Sequence, residues 1–109
     1  EERTAKFGEN SIELIKTVPQ NIITRPIINQ LIKCTTSVGA NFCEADDAES
    51  PRDFKHKIGI CKKESRECKH FFRMLAKILP EKKKEIAVLW LEAKELNLIF
   101  NSIFKKVKK

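Results

Sequence analysis

The sequence predicts an all-α protein, folded as an antiparallel up-down-up-down four-helix bundle. Three observations carry this expectation. Apolar residues recur at alternating three- and four-residue spacing in four separate stretches. The breaks between the stretches hold Pro, Asn and Ser, residues that stop or cap helices. With 41% hydrophobic and 34% charged residues, no Tyr and only three Gly, the composition favours packed helices over sheet or disorder.

The first helix is expected over about residues 3–18. Thr4, Phe7, Ser11, Leu14 and Val18 form its stripe, and Ile15 widens it. Pro19 and Asn21 end it, and Thr24 is placed to cap the next helix, with Pro26 tolerated in its first turn. The second helix is expected over residues 26–46. Its seam is Ile28, Leu31, Thr35, Val38, Phe42 and Ala45. Thr36, Gly39, Ala40 and Cys43 make a strip of small residues that lets another helix come close. Gln30, Cys34, Ser37, Asn41 and Glu44 make a third strip, polar but mostly uncharged. Between Arg25 and Glu44 the sole charged residue is Lys33. A surface helix of a small domain normally keeps a broad charged face. This helix is therefore expected to be covered on most sides, by its own bundle or by other copies of the chain.

Ser50-Pro51-Arg52-Asp53 is a helix start, with Ser as cap, Pro in the first position and Asp near the positive end of the dipole. The third helix should run over residues 51–79. Phe54, Ile58, Cys61, Ser65, Cys68, Phe72, Leu75 and Leu79 form its core seam, and Ile60, Glu64, Glu67, Phe71, Met74 and Ile78 lie beside it. Pro80 separates it from a fourth helix over residues 81–107, with Ile86, Leu89, Ala93, Leu96, Phe100, Ile103 and Val107 inward. Trp90, Leu91, Leu98 and Ile99 add apolar surface outside that seam. Short connections make successive helices antiparallel neighbours. The spare apolar surface predicts a homo-oligomer, with a closed ring as one natural solution.

At 109 residues the chain makes one domain, whose modest core would benefit from neighbouring subunits. No apolar run approaches the ~18–20 residues needed to cross a bilayer. The first residues are charged and form no cleavable signal pattern, so a cytoplasmic location without membrane contact is expected. The net charge of +7 is unevenly placed. Residues 1–50 hold five Lys/Arg against eight Asp/Glu, whereas residues 51–109 hold seventeen against seven. Such asymmetry points to an anionic partner for the second half.

The best candidate surface is a stripe on the third helix: Lys55, Lys62, Arg66, Lys69, Arg73 and Lys77. The spacing keeps all six on one flank over roughly 33 Å, and no acid interrupts them. Such a row can bind a nucleic-acid backbone by counterion release. A solvated helix face is the plainer alternative. No aromatic residue interleaves with the stripe, so base stacking is not indicated and contact should be to backbone, with weak sequence specificity. Lys82, Lys83 and Lys84 open the fourth helix against its dipole, and Lys105, Lys106, Lys108 and Lys109 end the chain.

Ser37, Asn41, Glu44, Glu64 and Glu67 are expected to form a structural polar network. Glu64 projects into an apolar arc, where a charge needs a partner such as Ser37, Asn41 or Arg25, in the same chain or a neighbouring subunit. A metal site on these glutamates is incomplete. Glu67 and His70 give one Glu-x-x-His pair, but His56 lies on the same helix about four turns away. Cys34, Cys43, Cys61 and Cys68 lack zinc-ligand spacing and read as reduced core thiols. No nucleophile has a base within evident reach. A non-enzymatic protein with no metal or cofactor is therefore expected.

One family shares this pattern. Arg25-Pro26, Gln30-Leu31, Thr36-Ser37-Val38-Gly39-Ala40-Asn41 and Glu44-Ala45, followed by Asp53-Phe54, Lys57, Lys63-Glu64 and Glu67, resemble the proteins encoded in intervening sequences of bacterial 23S ribosomal RNA genes. These are often labelled S23-like ribosomal proteins. The likeness runs from Phe7 through the fourth helix and is strongest over residues 30–67. Two positions depart from the pattern: Cys34 stands where a variable small or polar residue is expected, and Phe72 where Trp is common. The resemblance implies an up-down bundle assembled as a pentamer. A related bundle, the accessory protein of diversity-generating retroelements, extends the implication to nucleic acid and a protein partner bound through a basic surface. The family's biochemical role is poorly defined, and it carries over no catalytic residue.

Overall fold

The computed structural model describes residues 1–107. Four helices follow one another: α1 (Glu2–Ile15), α2 (Thr24–Asp46), α3 (Pro51–Ile78) and α4 (Lys83–Lys106), with a 3-10 turn at Pro80–Lys82 before α4. The expected basic residues Lys108 and Lys109 lie outside the described residues.

The boundaries follow local chemistry. Pro19 disfavours helical backbone at the residue before it, and α1 closes early. The amides of Thr17 and Val18 turn back to the carbonyls of Leu14 and Ile15, three residues behind them. Thr24 is not the cap of α2. It is the first helical residue, and the Asn21 carboxamide does the capping, its Oδ1 accepting the amides of Ile23 and Thr24 at 2.9 Å each. The buried Thr24 hydroxyl accepts the Asn21 amide and donates to the Pro19 carbonyl, which fixes the α1–α2 turn. At α3 the expected cap forms: Ser50 Oγ accepts the Asp53 amide at 3.0 Å.

Each helix runs antiparallel to the next. Across α1 and α2, Thr4 meets Gly39 and Gly8 meets Thr35. Across α2 and α3, Lys57 pairs with Glu44, and the Cys61 thiol reaches the Val38 carbonyl. Across α3 and α4, Asn97 Nδ2 donates to the Lys62 carbonyl at 2.8 Å and to Ser65 Oγ at 3.1 Å. The Asn97 oxygen accepts from Asn101, so this buried carboxamide has a partner at each end. Arg3 closes the circle by reaching α4, with a fork on Glu92 (2.7 and 2.9 Å) and a bond to Glu95 (2.8 Å). These carboxylates hold the Arg3 pKa above its ordinary value. The fork is half exposed, so it contributes at most about 1 kcal/mol.

Helices on the diagonals meet through side chains in the centre. Phe7 of α1 stands edge-on to Phe72 of α3, centroids 6.3 Å apart. Phe42 of α2 meets Phe100 of α4 at 5.9 Å. Around these rings Leu31, Val38, Ile58, Leu75, Ile86 and Ala93 are shut off from solvent.

The helices differ in length, and this positions the candidate site. At 14 residues against 28, α1 spans half of α3. Glu1, just before α1, lines the same cleft as Cys43, so the last turn of α2, the first turns of α3 and the end of α4 form a three-helix extension beyond that helix. The small-residue strip of α2 receives α1, as Gly8 and Thr4 pack on Thr35 and Gly39. Even so, Ile32, Thr36, Ala40 and Cys43 stay exposed. A single chain therefore covers only one side of this sparsely charged helix.

Candidate nucleic-acid interface

The six cations of the stripe lie along the α4-facing and outer flank of α3. Lys55, Lys62 and Lys69 are half-buried beside α4, whereas Arg66, Arg73 and Lys77 are exposed. Among the described residues none of the six is ion-paired. The pairs that form on α3 use Lys57, with Glu44 at 2.6 Å, and more loosely Lys63, 4.0 Å from Glu64. The hydrogen bond that Lys57 donates to the Glu44 carboxylate raises the Lys57 pKa. Six unneutralised cations on one flank make a surface that attracts a polyanion.

The stripe is not free of aromatic residues, contrary to the expectation from α3 alone. Phe104 of α4 lies against it, with Lys55 Nζ 4.7 Å and Lys62 Nζ 4.4 Å from the ring centroid. The absent side chain of Gly59 makes room for the ring: a Cβ there would sit 3.2 Å from Phe104 Cε1. A cavity of about 430 Å³ opens beside the ring, lined by Arg52, Lys55, His56, Gly59, Lys63 and Phe104. Further along, Trp90 of α4 shares a second cavity of about 320 Å³ with Arg73 and Lys83. Both aromatics come from a helix distant in sequence. The signal that could have located them is the antiparallel pairing of α3 with α4, which places the end of α4 against the start of α3.

The five residues of the expected polar network fall in separate places within one chain. Asn41 Nδ2 donates to the carbonyl and hydroxyl of Ser37, one turn back on the same helix, at 2.9 Å each. Glu44 is taken by Lys57. Glu67 lines an outer cleft with Gln30, Arg66 and His70. Glu64 is only 8% exposed, and its Oε1 is buried with no hydrogen-bond donor among the described residues. Burial, reinforced by Glu67 and opposed by Lys63 and Lys33, pushes the Glu64 carboxyl above its usual range.

This raised pKa has a signed consequence. The folded chain holds the Glu64 proton more tightly than the unfolded chain, in which a Glu titrates near pH ~4.3. The contribution of Glu64 to stability is therefore full below that pH and is lost as pH rises through the folded value. Glu64→Gln should remove this loss. Urea unfolding of both proteins should give curves that lie close in acid and separate towards pH 8, with the variant about 1–2 kcal/mol more stable. A variant less stable at pH 8 would show that the carboxylate has a partner in solution.

The thiols offer no nucleophile on this face. Cys34, Cys61 and Cys68 are buried as expected, but Cys43 is not a core thiol: it is exposed at the α1–α2 cleft, at the level where α1 begins. Burial pushes Cys61 up to about 12, and Cys68 is raised by the neighbouring Cys34 thiol and by burial. Among the described residues, no three His, Cys, Asp or Glu side chains converge as a metal-binding group.

Residues 2–102 match the sequence pattern of the 23S rRNA-intervening sequence proteins. The chain belongs to this family. No curated protein matches it. Among solved structures, it is similar to a protein of unknown function from the S23 ribosomal protein family of Bacteroides thetaiotaomicron, with a TM-score of 0.85 and 24% sequence identity over 96% of this chain and 97% of that one. That likeness shows the shared bundle fold. Within the described residues of this family member, no helix is long and apolar enough to cross a membrane.

Proposed function

We propose that this intervening-sequence protein is a non-enzymatic, cytoplasmic helical-bundle protein that assembles into a homo-oligomer and binds RNA through the basic flank of α3. The observation that carries the reading is the row of six cations without ion-pair partners among the described residues, on a chain whose net positive charge lies wholly in its second half. An RNA backbone presents the matching row of anions. The family name, which ties its members to ribosomal RNA genes, agrees with RNA as the polyanion.

Assembly is supported by apolar surface that a single chain leaves open. On α4, Val88 is 68% and Leu98 58% exposed, with Leu91 and Ile99 beside them. Ile32, Thr36 and Ala40 give α2 a second uncovered strip. A ring of copies, a pentamer by family resemblance, would bury both faces and repeat the basic flank around its rim. The same open surface favours a second reading, in which the assembly recruits another protein.

Gel-shift titration with RNA over a range of salt separates the two readings. Retention that weakens steeply with salt supports binding through the flank; no retention at low salt, or retention indifferent to salt, leaves the recruitment module.

A further inference from the structure

The geometry points to a pocket for one unpaired nucleotide at the Phe104 end of the basic flank, so that this protein prefers single-stranded RNA to duplex. The inference rests on the proposed RNA binding and names the form of RNA that the flank accepts.

Three features converge there. The first is an aromatic ring beside the cations Arg52, Lys55 and Lys63, in a cavity that His56, Gly59 and Ile60 complete. Phe104 is partly buried against the core, which holds the ring in place, yet it borders a cavity of about 430 Å³. That volume falls within the range of small-ligand sites. The second is charge. Arg52, Lys55 and Lys63 line the same cavity, and no acid lines it. Lys63 has only a loose contact, 4.0 Å, with the buried Glu64. The third is fit. Gly59 lets the ring edge seat close on α3, where a Cβ would sit 3.2 Å from Phe104 Cε1, so the ring forms one wall of a cavity whose other lining comes from α3.

In this chain the ring is attended by the ammonium groups of Lys55 and Lys62. Both sit on flexible four-carbon stems. A phosphate is a stronger partner for an ammonium than a phenyl face is. When a strand arrives, the two lysines turn to its phosphates and the ring face becomes available to a base. A base in a duplex is already stacked on both sides and cannot take the place. A base in a single strand can, and stacking on an aromatic side chain is tolerant of base identity. Preference for strand form with little preference for sequence follows.

Fluorescence anisotropy with a labelled single-stranded oligouridine and a duplex RNA of equal length tests the inference at low salt. The wild-type protein should bind the single strand more tightly. Phe104→Leu keeps apolar bulk at the position and should weaken single-strand binding about tenfold, with duplex binding changed less than about twofold. Phe104→Tyr restores a stacking face and should bind like the wild type. If strand and duplex bind the wild type equally, the nucleotide pocket is overturned without any variant being needed. It is also overturned if folded Phe104→Leu, confirmed by circular dichroism, binds the single strand as tightly as the wild type. In either case salt-dependent binding that requires Lys69 and Arg73 leaves the proposed RNA binding standing. Absence of binding to both RNAs removes that reading and the pocket together.

Discussion

Reversing Lys62, Arg66, Lys69 and Arg73 to Glu should abolish RNA binding while leaving the bundle folded. The four reversals take eight units from a net charge of +7 and turn an uninterrupted cationic row into a mostly anionic one. The effect can be sized from the counterions released. Six contacts to a single strand give a log–log salt slope of about −4, a loss of about 300-fold in affinity between 50 and 200 mM salt. With only Lys55 and Lys77 left, the slope falls to about −1, and the four new acids repel the strand. None of the four side chains is ion-paired among the described residues, and Arg66 and Arg73 are exposed. Helix content and unfolding midpoint should therefore change little. Anisotropy titrations across salt, with circular dichroism of the same samples, make the comparison. A reversed protein that still bound RNA with the wild-type slope would move the interface off α3.

The largest loss of stability should come from Phe72→Ala. This ring is fully buried and stands at the crossing of the diagonals, edge-on to Phe7 and beside Ile86 and Trp90. Truncating a buried Phe costs about 3–5 kcal/mol, the sum of lost burial and an unfilled cavity. Domains of this kind have roughly 5–15 kcal/mol in total, so the variant should unfold at much lower urea. The damage should be greatest at α1, which is short and depends on Phe7 for its grip on the other helices. Hydrogen exchange should show the α1 amides opening first. Phe72→Leu fills most of the space and should cost less than half as much. A loss below about 1 kcal/mol for Phe72→Ala would mean that α1 packs elsewhere in solution.

Much of this architecture can be read along the chain because its causes are local. Pro19, Ser50 with Pro51, and Pro80 each act within a turn of where they stand, so the helix limits fall close to expectation. The main differences are the early end of α1 and the transfer of capping from Thr24 to Asn21. Periodicity likewise places Phe7, Leu31, Ile58, Phe72 and Phe100 inside. What could not be read depends on how distant helices pair. Phe104 looks like the inner edge of a lysine-rich terminus until α4 lies back along α3 and brings it to Lys55 and Lys62. Arg3 likewise carries no mark of its fork to Glu92 and Glu95, which stand some ninety residues away. The buried position of Glu64 was legible from its apolar neighbours. That no donor of the described chain meets its inner oxygen was not, because a partner's absence has no pattern in sequence.

A seam of interchangeable apolar side chains does little to stop one helix ratcheting past another by a turn, about 5.4 Å. Asn97 does not allow such slippage. Moved one turn along, its carboxamide nitrogen would lose both acceptors on α3, the Lys62 carbonyl and the Ser65 hydroxyl, a penalty of about 1–3 kcal/mol if the buried donor finds no other. The detent holds α4 at a single notch on α3, two turns from Phe104. Every copy of the chain therefore offers the same ring opposite the same glycine.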